Sequence, residues 1–171
     1  MLLRLAEPSD ALAVARVHIR SWQVAYRGFI PDNVLDSLDP KERAQRYNFA
    51  TRDPQKPRTI LAMERRAVLG FATTAPSRDA DLPEHGELCS LHVDPELWGR
   101  GIGAALIVAA RTHLTEVGFQ NALLWMLAAN DRAARFYAID GWKPDGVRKT
   151  DAQRGVVLDE IRLQRPLSKS V

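Results

Sequence analysis

The chain has 171 residues, enough for one domain with a sizeable core and too few for two comfortable ones. Its 46% hydrophobic and 26% charged residues are ordinary for a globular protein, and the net charge of +3 suits an anionic ligand while lacking the dense basic tracts of a nucleic-acid binder. One cysteine, Cys89, rules out an internal disulfide and points to a reducing compartment, and its plain reading is a small buried core residue. The first seven residues carry an acid and lack a signal-peptide pattern, and no run reaches membrane-spanning length, so the expected location is cytoplasmic.

Residues 2–6 read as a short strand, and Pro8-Ser9-Asp10 as a capped helix start. The helix that follows spaces Leu12, Ala15, Ile19, Trp22 and Tyr26 three and four apart, which puts them on one face; Gly28 is a natural stop. Residues 40–53 are charged and helical in character. Residues 58–64 and 67–75 read as strands joined tightly through Arg65 and Arg66. A polar loop over 77–86 carries Asp79, Asp81 and Glu84, acids that can face a cationic acceptor or simply be solvated.

The central stretch runs from Glu87 to Leu106: an apolar strand ending at Val93, a turn with Pro95, then Gly99, Gly101 and Gly103 opening an apolar-periodic helix that Gly118 closes. The first amides of a helix have no internal acceptor and carry the positive end of its dipole. Glycines let a phosphate approach them. Arg100 lies inside the loop, and no acid occurs between Glu96 and Glu116. A dinucleotide fingerprint would need glycine where Leu106 stands, and the Gly-Lys-Ser/Thr of a nucleotide P-loop is absent. A further strand spans 120–127, a helix runs from Asn130 to near Asp140, and residues 142–150 and 155–163 form a closing hairpin.

Val93-Asp94-Pro95, then Gly99-Arg100-Gly101-Ile102-Gly103-Ala104, then Asn130-Asp131-Arg132-Ala133-Ala134-Arg135-Phe136-Tyr137 with Gly141-Trp142 resembles the GCN5-related N-acetyltransferases (GNAT family). Trp98 stands where that family commonly has Gln or Arg, a side chain the backbone cradle does not need. Upstream, Ser21-Trp22-Gln23-Val24-Ala25-Tyr26-Arg27-Gly28-Phe29-Ile30-Pro31 is similar to the amino-terminal pattern of one branch. Together these cover most of the chain.

The resemblance implies an α+β GNAT fold: a mixed, mostly antiparallel sheet of about six or seven strands, helices on both faces, and a splay between the central strand and the strand after the cofactor helix. One domain over 1–167 is expected, with 168–171 a frayed tail. It implies acetyl-CoA as cosubstrate, held by Leu91, His92, Val93, Trp98, Gly99, Arg100, Gly101, Ile102, Gly103, Ala104, Asn130, Ala133 and Phe136; Asn130 also reads as a plain helix N-cap. The amine acceptor, a small molecule or peptide, would meet Trp22, Tyr26, Phe29 and Glu84, although the three aromatics also fit a core face. No nucleic acid or membrane partner is expected, and homodimers are frequent in the family.

An alkyl ammonium is free base in only ~1 part in 2,500 at pH 7, so a proton acceptor is required. By resemblance that is Glu87, with Glu84 and His85 as neighbours able to substitute. The leaving thiolate needs a donor, and the family's position for it is Tyr137. Full proton transfer from a phenol to a thiolate runs uphill by roughly 2 kcal/mol, so hydrogen bonding to developing charge matters as much as protonation. No metal is expected, because His18, His85, His92 and His113 lack ligand spacing, and no acyl-serine elbow occurs. Two other readings stand beside the enzyme: a non-catalytic acyl-CoA-binding or sensing module, and a nucleotide-binding domain.

Overall fold

The computed structural model describes residues 1–153 and 156–167; the expected tail and the Gly155 start of the last strand lie outside them. Seven strands form one sheet: β1 (Leu2–Leu5), β2 (Arg58–Glu64), β3 (Ala67–Pro76), β4 (Gly86–Val93), β5 (Asn121–Leu127), β6 (Lys143–Gln153) and β7 (Val156–Pro166), in the order β1-β2-β3-β4-β5-β7-β6. Every neighbouring pair is antiparallel except β4 and β5, which a crossover helix must join.

That helix is α4 (Ile102–Val117), and it shares one face of the sheet with α5 (Asp131–Ile139). The opposite face carries α1 (Ala11–Ala25), with α2 (Asp32–Asp36) and α3 (Pro40–Ala44) along its flank. Burial on both faces explains the unbroken apolar run of β2: Ile60 and Ala62 join the α4 core, whereas Leu61 and Met63 join Val14, Val17 and Phe71 under α1.

Three local expectations change. The buried face of α1 is centred on Val14, Val17, His18 and Ser21 as well as Ala15 and Ile19, while Trp22 and Tyr26 turn toward α2, because the helix packs on the sheet and on a second helix at once. Asp10 does not cap α1; its carboxylate pairs with Arg4 at 2.7 and 2.9 Å and accepts the Glu7 amide, after a 3-10 turn over Pro8–Asp10. Of residues 40–53 only Pro40–Ala44 is helical, since the chain leaves the helix to stack Tyr47 on Phe49 at 4.9 Å against the α1 core.

β4 and β5 pair only at Gly86 with Ala122 and Glu87 with Leu123, and then diverge. β5 follows β7 along its whole length. β4 instead follows β3, with a register shift that leaves Cys89 unpaired opposite Thr73 and Thr74, and such bulges bend and twist a strand. The outcome is a V-shaped gap with Glu87 at its vertex, and residues 88–93 have no strand on their β5 side.

Candidate active site

The open end of the V meets the start of α4. Gly99 and Gly101 have φ of +80° and +78°, the left-handed region that a Cβ strains, and Gly101 is the N-cap. Gly103 acts differently, since a Cβ there would lie 3.3 Å from the Phe136 ring, so its absence lets α5 press against the first turn of α4. The first amide to find a helical acceptor is Ala105, on Gly101 at 3.0 Å; those of Ile102, Gly103 and Ala104 precede it.

Around these amides the charge is favourable to an anion. Arg100 is exposed in the loop, and Arg132, from the first turn of α5, lies 3.4 Å above the centre of the Trp98 ring. The nearby acid Asp94 is paired with Arg20. Trp98 has a structural task too, because its indole donates to the Val93 carbonyl at 2.9 Å and ties the loop to the end of β4. The donor set fits a pyrophosphate, and the unpaired edge of β4, containing Leu91, His92 and Val93, fits an extended arm entering the V. Asn130 is the N-cap of α5, accepting the Ala133 amide at 3.1 Å.

Tyr137 projects from α5 against Phe136 and Trp142, with ring centres 5.3 and 6.3 Å away. Its hydroxyl makes no hydrogen bond to any described residue, and burial, with Tyr26 adding to it, raises its pKa above the usual phenol value. It is therefore a protonated donor with no partner among the described residues. Tyr26 is pushed up to about 12 by burial and by Glu160.

Glu87 is buried and engaged: Arg78 donates from Nη2 at 2.7 Å, from Nε at 3.3 Å and from its backbone amide at 3.2 Å. Sequence reasoning missed a second carboxylate, Glu160 of β7, which stands opposite Leu127 of β5 and 3.8 Å from Lys149. Burial, with Asp151 adding to it, raises the Glu160 pKa although Lys149 and Arg78 pull it back. Only the register of the final hairpin, which periodicity does not encode, brings Glu160 here.

The other acceptor expectations divide. Trp22 and Tyr26 meet edge to face at 4.9 Å beside the buried residues Ile30, Leu127 and Leu158. Phe29 is 47% exposed, so for it the core reading fails, and Glu84 is exposed on its loop. Asp79 and Asp81, read as solvated or facing a cationic acceptor, are both bonded to a buried arginine. Arg162, only 4% exposed, donates to Asp79 at 3.0 Å, to Asp81 at 2.8 Å and to Asp145 at 2.6 Å, so each of these carboxylates is engaged by one shared guanidinium. Cys89 is half-buried rather than fully buried, with its thiol pushed up to about 12 by burial and by Glu87. No helix among the described residues is long and apolar enough to cross a membrane.

A family model described as the acetyltransferase (GNAT) family matches residues 19–142. The N-acetyltransferase YuaI of Bacillus subtilis is 28% identical over 96% of this chain and 92% of its own length. A mycothiol acetyltransferase of Mycobacteroides abscessus is 30% identical over 87% of this chain, which spans only 45% of that protein. Among solved structures, YncA of Salmonella typhimurium with its cofactor acetyl-CoA superposes with a TM-score of 0.73 at 18% identity, covering 100% of this chain and 96% of the other, a likeness of fold.

Proposed function

Because the chain belongs to the acetyltransferase (GNAT) family, an acyltransferase family, we propose that it is a cytoplasmic enzyme acetylating a primary amine of a small molecule or peptide by direct attack in a ternary complex. The observation that carries this reading is the V between β4 and β5, with a free-amide cradle at its mouth and the unbonded hydroxyl of Tyr137 beside it. Bound acetyl-CoA would supply the activated acyl group as a thioester. The amides of Ile102, Gly103 and Ala104, with Arg100 and Arg132 alongside, hold a pyrophosphate; the free edge of β4 orients the arm and polarises the carbonyl through backbone dipoles that need no reorganisation.

Transfer forms a C–N bond and breaks a C–S bond, with sulfur leaving on its electron pair. The ammonium nitrogen gives up two protons, of which one ends on sulfur and one in solvent. Tyr137 donates a hydrogen bond to the developing thiolate; burial keeps the phenol protonated and, by raising its pKa, favours that hydrogen bond over outright proton transfer. Glu87 at the vertex accepts from the ammonium. A second reading of the acceptor rests on one observation: both Glu87 oxygens already accept from Arg78, whereas Glu160 is half-buried and held more basic than an ordinary glutamate.

Thermal unfolding with coenzyme A, acetyl-CoA, ATP and NAD added separately, followed by a thiol-release screen of amines, tests the function. Stabilisation by the coenzyme A compounds alone together with amine-dependent thiol release is expected. Stabilisation without release from any amine would favour the sensing module, and stabilisation by ATP or NAD instead would overturn the reading.

A further inference from the structure

Beside the V, on the α1 face, lies a cavity of about 70 Å³ lined by apolar residues of α1, α2 and β7 and of the loops around α2, among them Trp22, Ile30, Leu35 and Leu158. Its volume is less than half the roughly 150 Å³ that holds a benzene ring in a protein core, so it suits a short aliphatic segment and excludes an aromatic one. The charged side chains on its lining are Asp39, Arg43 and Arg46. Asp39 is committed to capping α3 through the Lys41 amide at 2.8 Å, and Arg46 to Glu42 at 2.8 Å.

Arg43 is different. It is half-buried, its guanidinium donates to the Tyr47 hydroxyl at 3.4 Å, and among the described residues no carboxylate pairs with it. Its charge reaches inward: after burial, Arg43 helps hold His92 down to about 4, and with His92 it helps hold His18 well below the usual imidazole value. The stacked pair His18 and His92, 4.5 Å apart, is therefore neutral and supplies no competing cation. A guanidinium that no carboxylate touches among the described residues, at the edge of an apolar cavity, is a site for an anion.

Residues on the cavity wall neighbour Glu160 and, through the His18–His92 stack, β4. Leu158 on its wall and Glu160 are two residues apart on β7 and share a face, and the wall residue Trp22 packs on Tyr26, whose hydroxyl lies within the field of Glu160.

We propose that the acceptor is an amine whose short aliphatic chain ends in a carboxylate, the chain seated in this cavity, the carboxylate on Arg43, and the amine toward the V. The inference rests on the acetyl transfer proposed above and narrows its acceptor.

The test compares initial thiol-release rates for 5-aminopentanoate, 5-aminopentanamide and pentylamine at saturating acetyl-CoA. A carboxylate paired with Arg43 is expected to give 5-aminopentanoate a KM lower than that of its amide by about tenfold or more. Arg43→Gln should bring the ratio near one, Arg43→Lys should restore part of it, and both should keep the thermal shift produced by coenzyme A. Saturation-transfer NMR of 5-aminopentanoate on the coenzyme A-loaded protein gives a second readout, with the signal expected to fall in Arg43→Gln. Equal KM values for acid and amide, an unchanged ratio in Arg43→Gln, or no saturation transfer when turnover is absent would overturn the assignment. Loss of the coenzyme A shift in the wild type would instead mark failure of the acetyl-transfer reading itself.

Discussion

Tyr137→Phe separates catalysis from folding at a single atom. The hydroxyl donates to no described residue, so removing it breaks no internal hydrogen bond, and the Phe ring keeps the contacts with Phe136 and Trp142. Stability should then change by no more than about 0.5 kcal/mol, the range for substitutions away from packing and buried bonds. The chemical step should lose the hydrogen bond to developing negative charge on sulfur, about 1.5–3 kcal/mol for a charged partner. At about 1.4 kcal/mol per decade this is a fall of roughly 10- to 150-fold. Single-turnover thiol release measures the step free of product release, and denaturant unfolding measures the stability. Because the phenol pKa is raised, the wild-type rate should show no alkaline loss from Tyr137 below the usual phenol value of about 10. An unchanged single-turnover rate, or a stability loss above about 1.5 kcal/mol, would refute the assignment of the hydroxyl to chemistry.

Glu87→Gln should lower kcat/KM by about 10²-fold or more if Glu87 is the proton acceptor, as expected for a general base. If that loss appears in Glu160→Gln instead, together with the acid limb of a pH profile lying above the ordinary glutamate range, the role belongs to Glu160. Arg162→Leu should destabilise the fold by about 3 kcal/mol, the lower end for breaking a buried pair because Asp81 is largely exposed. For a domain of this size the midpoint should fall by roughly 6–12 °C. The pH dependence has a definite sign. Arg162 lowers the pKa of Asp81, and for Asp145 the hydrogen bonds from Gln164, Val147 and Arg162 outweigh the opposing desolvation. Both therefore stabilise the wild type above the usual carboxylate pKa of about 4, and that contribution is lost as pH falls through their depressed values. The gap between wild type and variant should narrow toward acid pH, and a gap constant across pH would refute the charge argument.

Much of this protein is legible in one dimension because its signals are local. A strand, a glycine turn and an apolar-periodic helix follow one another in sequence, so the cradle from Gly99 to Ala104 can be located without any tertiary contact. The same holds for the hairpin through Arg65 and Arg66 and for the Asn130 cap, where each partner lies within a few residues. The periodic stripe of α1 is narrower than the surface it buries, because a helix that meets both a sheet and a second helix buries more than one side.

What the tertiary structure decided is which charges meet. Asp79 and Asp81 look available in a polar loop, yet both are tied to Arg162, more than eighty residues later. Glu87 keeps its place at the vertex, but Arg78 covers it, and Glu160 arrives from the last strand. Arg43 reads as one charge in a polar segment, and only the packing of α3 against α1 sets it at the edge of a largely apolar cavity with no carboxylate in ion-pair contact among the described residues. Secondary structure follows from short-range sterics and periodicity, which neighbouring residues carry. The ionisation and reach of a side chain follow from burial and from charges distant in sequence, and those exist only once the chain has folded.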